Sequence, residues 1–177
     1  MKLSKNTMTS APEKSTGPLR WTEAAPGDEA AIIALMRDFY AEDKITFRPG
    51  AVREGVRALL ASPAAGRLFL LRRAAAGAAR DDDAASGPPL GHLALTFCFS
   101  MEFHGRFVLL DELYIAPSAR GAGLANAALR FAAGWARGQG ARAVRLEVNA
   151  HNARVRPLYA KHGFADDHRD LFTRWLD

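Results

Sequence analysis

The stretch Asp111-Glu112-Leu113-Tyr114-Ile115-Ala116-Pro117-Ser118-Ala119-Arg120-Gly121-Ala122-Gly123-Leu124-Ala125 decides how this chain is read. Leu113, Tyr114 and Ile115 read as the end of a strand, closed by Pro117. Gly121 and Gly123 then mark a turn that opens a helix. At a helix N-terminus the first backbone N–H groups have no partner within the helix, and the helix dipole favours negative charge there. The small residues Gly121, Ala122, Gly123 and Ala125 leave that backbone open to close approach. A strand, turn and helix of this kind predict a cradle for a pyrophosphate. The alternative is a tight connection that needs glycine for its own geometry alone.

Working outward, the periodicities give an element order. Leu19 to Ala24 reads as a strand, broken by Pro26 and Gly27. Ile32, Leu35, Met36, Phe39 and Tyr40 recur at helical spacing from Asp28 to about Asp43, and a second helix runs from Ala51 to Ala61. Leu68 to Leu71, Leu90 to Ser100 and Arg106 to Ile115 read as strands, the last two joined at a His104-Gly105 turn. A helix is predicted from Arg120 to Arg137, a strand from Val144 to Val148, a helix from about Asn152 to His162 and a final strand from Leu171 to Leu176. Residues 1–18 are polar and without period, which predicts a disordered tail, and the Ala-, Gly- and Asp-rich stretch 74–89 predicts a flexible loop. Residues 19–177 are then expected to form one domain. The fold class is α/β: antiparallel hairpins first, then β-α-β crossovers in a mixed sheet.

Composition narrows the function classes. Apolar residues make up 49% and charged residues 24%, ordinary for a globular protein. The net charge of +5 favours an anionic partner, but the arginines are dispersed and match no nucleic-acid-binding motif, so no nucleic acid is expected. No apolar run reaches membrane-spanning length and the N-terminus has no signal-peptide pattern, so no membrane partner is expected. The single cysteine, Cys98, excludes a disulfide framework and fits a cytoplasmic setting. His151 and His162 lack partners at metal-ligand spacing, so no metal is expected.

Two motifs in order carry a family resemblance. Arg120-x-x-Gly123-x-Ala125 follows the Leu113-Tyr114-Ile115 strand, and Asn152-Ala153-Arg154-Val155-Arg156-Pro157-Leu158-Tyr159-Ala160-Lys161-His162-Gly163-Phe164 comes some thirty residues later. The first is similar to the Arg/Gln-x-x-Gly-x-Gly/Ala signature of the GNAT acetyltransferase superfamily. The second resembles that family's Asn-x-x-Ala-x-x-Leu-Tyr-x-x-x-Gly-Phe segment. The resemblance covers roughly Val108 to Phe164. It implies a mostly antiparallel, splayed central sheet flanked by helices, with acetyl-CoA held in the splay as acetyl donor. Leu113, Tyr114 and Ile115 would bond the pantetheine arm. Arg120, Gly121, Ala122, Gly123, Leu124 and Ala125 would hold the pyrophosphate. Asn152 would contact the cofactor, and Tyr159 would sit near the thioester sulfur as the proton donor to the leaving thiolate. Two departures stand out. Val155 replaces the usual alanine, and Pro157 falls inside the predicted helix, so either that helix starts later or Tyr159 is displaced.

The resemblance implies transfer of an acetyl group to a primary amine by direct attack in a ternary complex. The amine must lose a proton, and Asp111 and Glu112 lie on the strand that feeds the site. Neighbours on a regular strand face opposite sides, so only one lines the site unless a bulge intervenes. Glu112 is taken as base or relay and Asp111 as substrate anchor, with the reverse left open. Tyr40 and Glu102 are further candidates for the acceptor pocket. Two carboxylates near the reactive centre favour a small cationic amine. The alternatives are an N-terminal or lysine acetyltransferase acting on protein, and a non-catalytic acyl-CoA-binding module. A homodimer is expected through the Leu171 to Leu176 region.

Overall fold

The computed structural model describes residues 17–74 and 87–176. The tail expected over 1–18 lies outside the described residues up to position 16, and the loop expected over 74–89 lies outside them from 75 to 86.

Five strands form one sheet in sequence order: β1 (Leu19–Glu23), β2 (Gly66–Arg73), β3 (Gly91–Ser100), β4 (Gly105–Ile115) and β5 (Val144–Leu146). The first four are antiparallel neighbours, and β5 runs parallel to β4. That parallel step needs a crossover, supplied by helix α3 (Leu124–Gly138). Helices α1 (Glu29–Glu42) and α2 (Pro49–Ala61) lie between β1 and β2 in the chain, and α4 (Arg156–Lys161) follows β5.

Alternation along the strands divides the core between two faces. Leu68, Leu70, Ala94 and Tyr114 meet Ile32 and Leu35 of α1 and Val52 and Val56 of α2. Phe69, Leu93, Leu95, Val108 and Leu110 meet Ala128, Leu129, Ala132 and Ala136 of α3. The small residues of α3 bring its axis close to the sheet, and the fully buried Leu129 contributes about 2 kcal/mol by leaving water.

Three differences from the sequence reading have physical causes. Helix α3 begins at Leu124 and not at Arg120, because Gly121 and Gly123 adopt φ +84° and +71°, outside the helical region. The last helix begins at Arg156, after a 3-10 segment Ala150–Val155. Pro157 therefore falls in its first turn, where no intrahelical N–H bond is lost. The predicted strand Leu171 to Leu176 is not formed. Among the described residues no strand pairs with it, and Leu171, Phe172, Trp175 and Leu176 are exposed. A strand needs a neighbour to satisfy its backbone groups, and β5 offers only three residues of edge.

Candidate active site

The site begins where β4 and β5 part. Their pairing covers only Val108, Leu109 and Leu110 against Val144, Arg145 and Leu146. Beyond Leu110, β4 keeps β3 on one side, while the β5 side of Asp111 to Ile115 is left open. This wedge exposes the strand expected to bond an extended ligand arm through Leu113, Tyr114 and Ile115. The Tyr114 side chain itself is buried on the α1 side, where its hydroxyl donates to Glu42 Oε1 at 3.2 Å.

A bulge sits at the mouth of the wedge. Ala94 faces Glu112 and Leu95 faces Leu110, so Asp111 is the extra residue of β4. The irregularity breaks alternation. Asp111 and Glu112 therefore both line one cavity of about 380 Å3, where a regular strand would have placed only one. Tyr40, Asp43, Leu113, Glu147, Asn152 and Tyr159 share that lining.

Glu112 is nearly buried and holds two partners. Tyr40 Oη donates to its Oε1 at 2.8 Å, and His92 Nε2 lies 2.8 Å from its Oε2. Burial, then the charge and hydrogen bond of Glu112, push the Tyr40 hydroxyl well above its usual range. Asp111 is the more open of the two carboxylates, yet partial desolvation and the neighbouring Glu112 and Glu147 raise its carboxyl. Tyr159 is half-buried, and burial followed by the charge of Asp43 raises its hydroxyl, which keeps the proton available.

The turn expected to hold the pyrophosphate lies at the start of α3. Among the described residues, the N–H groups of Gly121, Ala122 and Gly123 donate to no backbone carbonyl, and those of the first turn of α3 lack helical partners. A Cβ placed on Gly121 or Gly123 meets no atom within 4 Å, so the concave side of the turn is free. Unpaired donors, a helix N-terminus and open space fit a pyrophosphate. Leu124 and Ala125 supply the first turn of α3. The Arg120 side chain is committed elsewhere: Nε donates to Ile115 O at 2.8 Å, and Nη2 pairs with both Glu42 oxygens, at 2.7 and 2.9 Å. Arg120 would thus serve a phosphate through its backbone.

The end of α1 clasps both rims of the wedge. Glu42 holds Arg120, and the adjacent Asp43 accepts from Asn149 Nδ2 and lies 3.1 Å from His151 Nε2. Glu102 lies outside the wedge lining. It sits on the β3–β4 turn and forms an ion pair with Arg169 at 2.5 and 2.8 Å, so the structure does not bring it together with the other expected site residues. His92, Asp43, Glu147 and Asn149 were not singled out from sequence. A histidine inside the apolar run of β3 was the visible signal for His92, but its partner sits 20 residues away. Among the described residues, no group of three His, Cys, Asp or Glu side chains stands ready to hold a metal ion, and no helix is long and apolar enough to cross a membrane.

A second groove, of about 600 Å3, runs between α3 and β5 and is lined by Arg130, Ala133, Gly134, Arg142 and Phe164. It is larger than the wedge but contains none of the site residues expected from sequence.

Known proteins share this fold. The chain is 30% identical over 82 residues to YhfO, an uncharacterised N-acetyltransferase of Bacillus subtilis (strain 168), a match taking in 46% of this chain and 55% of that protein. The chain thus spans about half the length of this curated relative. The crystal structure of the integron cassette protein HFX_CASS3, from the mobile metagenome of Cole Harbour Salt Marsh, superposes with a TM-score of 0.70 at 29% identity, covering 89% of this chain and 90% of that one. Aminoglycoside N-acetyltransferase AAC(6')-Iy in complex with CoA shares the fold at a TM-score of 0.69 and 16% identity, covering 94% of this chain and 99% of its own. The model of the Acetyltransferase (GNAT) family matches residues 35–164, and the chain belongs to that family of acetyltransferases.

Proposed function

We propose that this protein is an acetyl-CoA-dependent N-acetyltransferase that acetylates a small, cationic primary amine by direct attack within a ternary complex. The observation that carries this reading is the composition of the wedge. Asp43, Asp111, Glu112 and Glu147 surround it, and no Lys or Arg is among its lining residues. A chain of net charge +5 has gathered carboxylates where the acceptor would enter, which selects a cation. The aminoglycoside acceptor named for AAC(6')-Iy is a cation of this kind.

When bound, acetyl-CoA supplies the thioester. The residues of the chain do the rest. The turn from Arg120 to Ala125 holds the pyrophosphate through backbone N–H groups, and the open edge of Leu113, Tyr114 and Ile115 aligns the pantetheine arm. Asn152 lines the same wedge and contacts the cofactor there. Asp111 anchors the ammonium, and Glu112 takes one of its protons, directly or through water. The freed nitrogen forms the C–N bond as the C–S bond breaks, and Tyr159 protonates the sulfur. The second ammonium proton leaves the new amide and restores Tyr159, with solvent as the intermediary.

In the same reading the chain works as a cytoplasmic homodimer. Support comes from the exposed Leu171, Phe172, Trp175 and Leu176. Light scattering returning one chain mass at micromolar concentration would remove that part.

The function is tested by titrating acetyl-CoA calorimetrically, then detecting thiol release with 1,4-diaminobutane, spermidine, neamine and a lysine-containing peptide. Saturable binding and turnover of the small amines is the expected result. Turnover of the peptide alone would favour a protein acetyltransferase. Binding with no turnover on any acceptor would favour a regulatory acyl-CoA module.

A further inference from the structure

We propose that His92 is a positioning residue for the acyl-transfer step, fixing the Glu112 carboxylate by a one-way hydrogen bond and taking no part in proton relay. The proposal rests on the reading of Glu112 as the proton acceptor. His92 lies on β3 opposite Tyr114, and Ala94 lies opposite Glu112, so His92 and Glu112 are diagonal cross-strand neighbours on one face. The imidazole is fully buried. The Phe39 and Tyr114 rings enclose it, with centroids 6.0 and 5.9 Å away. Its Nε2 is 2.8 Å from Glu112 Oε2, while its Nδ1 is buried with no hydrogen-bond partner among the described residues.

That asymmetry assigns the ring proton. A proton on Nε2 meets the carboxylate and leaves Nδ1 as a bare acceptor among aromatic rings. A proton on Nδ1 would be a buried donor with nothing to accept it. The ring can therefore donate to Glu112 but has no second contact through which to pass a proton on. Tyr40, reaching in from α1, donates to the other carboxylate oxygen at 2.8 Å. Two donors on two elements fix the plane of the carboxylate and occupy one lone pair on each oxygen. The remaining lone pairs serve the cavity that Glu112 lines. A carboxylate so held meets the acceptor ammonium without first reorienting.

The test compares H92F, which keeps a ring without the donor, H92Q, whose amide N–H reaches toward the Nε2 position, and E112Q. Turnover is measured on whichever amine of the panel above reacts fastest. H92F is expected to lower kcat by roughly 10- to 100-fold with acetyl-CoA affinity changed by no more than about twofold, and H92Q to recover most of the loss. Long-range ¹H–¹⁵N spectra of the histidine rings are expected to show His92 protonated at Nε2, with that resonance shifted in E112Q. Wild-type turnover by E112Q would sink the base reading itself, and the proposal with it. An inactive E112Q beside a fully active H92F would overturn the role of His92 alone. Equal impairment of H92Q and H92F at equal Tm would reduce His92 to packing. Should H92F fail to fold, a His92 ring protonated at Nδ1, or one indifferent to E112Q, would overturn the proposal by spectroscopy.

Discussion

Gly123→Val separates the geometry of the phosphate turn from its function. Gly123 precedes α3 at φ +71°, ψ 13°. Holding an L-residue there costs about 1–2 kcal/mol, and a β-branched side chain is at the upper end. A Cβ at this position meets no heavy atom within 4 Å, so the free protein suffers local strain and no clash. In a chain of this size about 1 kcal/mol moves Tm by roughly 2–4 °C, so a fall of about 2–8 °C is expected. The space the isopropyl group enters is the space the pyrophosphate needs. Micromolar binding corresponds to about 8 kcal/mol, and losing the turn should remove at least about 2.7 kcal/mol of it, a hundredfold loss in affinity. Isothermal titration at 25 °C reads the affinity, and thermal melts with and without acetyl-CoA read strain and ligand stabilisation together. Gly123→Ala, with a similar φ penalty and far less bulk, shows how much of the loss is strain. Unchanged affinity in a Gly123→Val protein that melts in the expected range would refute the reasoning, because the strained turn would be present without holding the phosphates.

The other predictions probe separate parts of the wedge. Arg120→Ala should weaken acetyl-CoA binding by less than about tenfold in the same titration, since the side chain is engaged with Glu42 and an exposed pair of this kind contributes no more than about 1 kcal/mol. Tyr159→Phe should lower kcat by about 100-fold or more in the thiol-release assay while acetyl-CoA affinity stays level, because it removes a proton donor and keeps the ring. Asp111→Asn should raise Tm at neutral pH and also raise KM for a cationic acceptor. Its folded-state carboxyl is raised above the ordinary 3.8, so native Asp111 opposes folding increasingly as pH rises through the folded value. The stability gain of the asparagine should therefore fade as pH falls through the raised folded value and be gone by about 4, which melts across a pH series would show.

Much of this fold was legible because its signals are local. Helical periodicity in Ile32, Leu35 and Phe39 and alternation through Phe69 and Leu70 depend on neighbours a few residues away. The turn before α3 was equally legible, since Gly121 and Gly123 carry their conformational meaning in their own backbone. What sequence placed too early was the start of α3, because periodicity tracks apolar side chains and is blind to φ. The partner of Glu102 was illegible for a different reason: an acidic residue in a turn gives no indication of which cation will reach it, and Arg169 lies 67 positions on. The expected strand at Leu171 to Leu176 shows the same limit, as β propensity describes a side-chain pattern but cannot provide a pairing edge.

The bulge explains why the acidic pair could not be resolved from sequence and why it matters. Parallel pairing ends at Leu110–Leu146, and the extra residue of β4 comes immediately afterwards at Asp111. Two breaks therefore meet at Leu110 and Asp111. The end of the β5 ladder leaves the edge of Leu113 to Ile115 unpaired by β5, the bulge turns Asp111 and Glu112 toward one cavity, and Tyr159 belongs to the same lining. Deleting the extra residue, Asp111, would restore alternation with Leu110 and Glu112 still opposite Leu95 and Ala94. Glu112 would keep the side from which it bonds His92 and Tyr40, and the cavity would lose the Asp111 carboxylate alone. The acidic lining thus lies where both ladders of β4 are interrupted, so the open edge and the carboxylates beside it share one place in the fold.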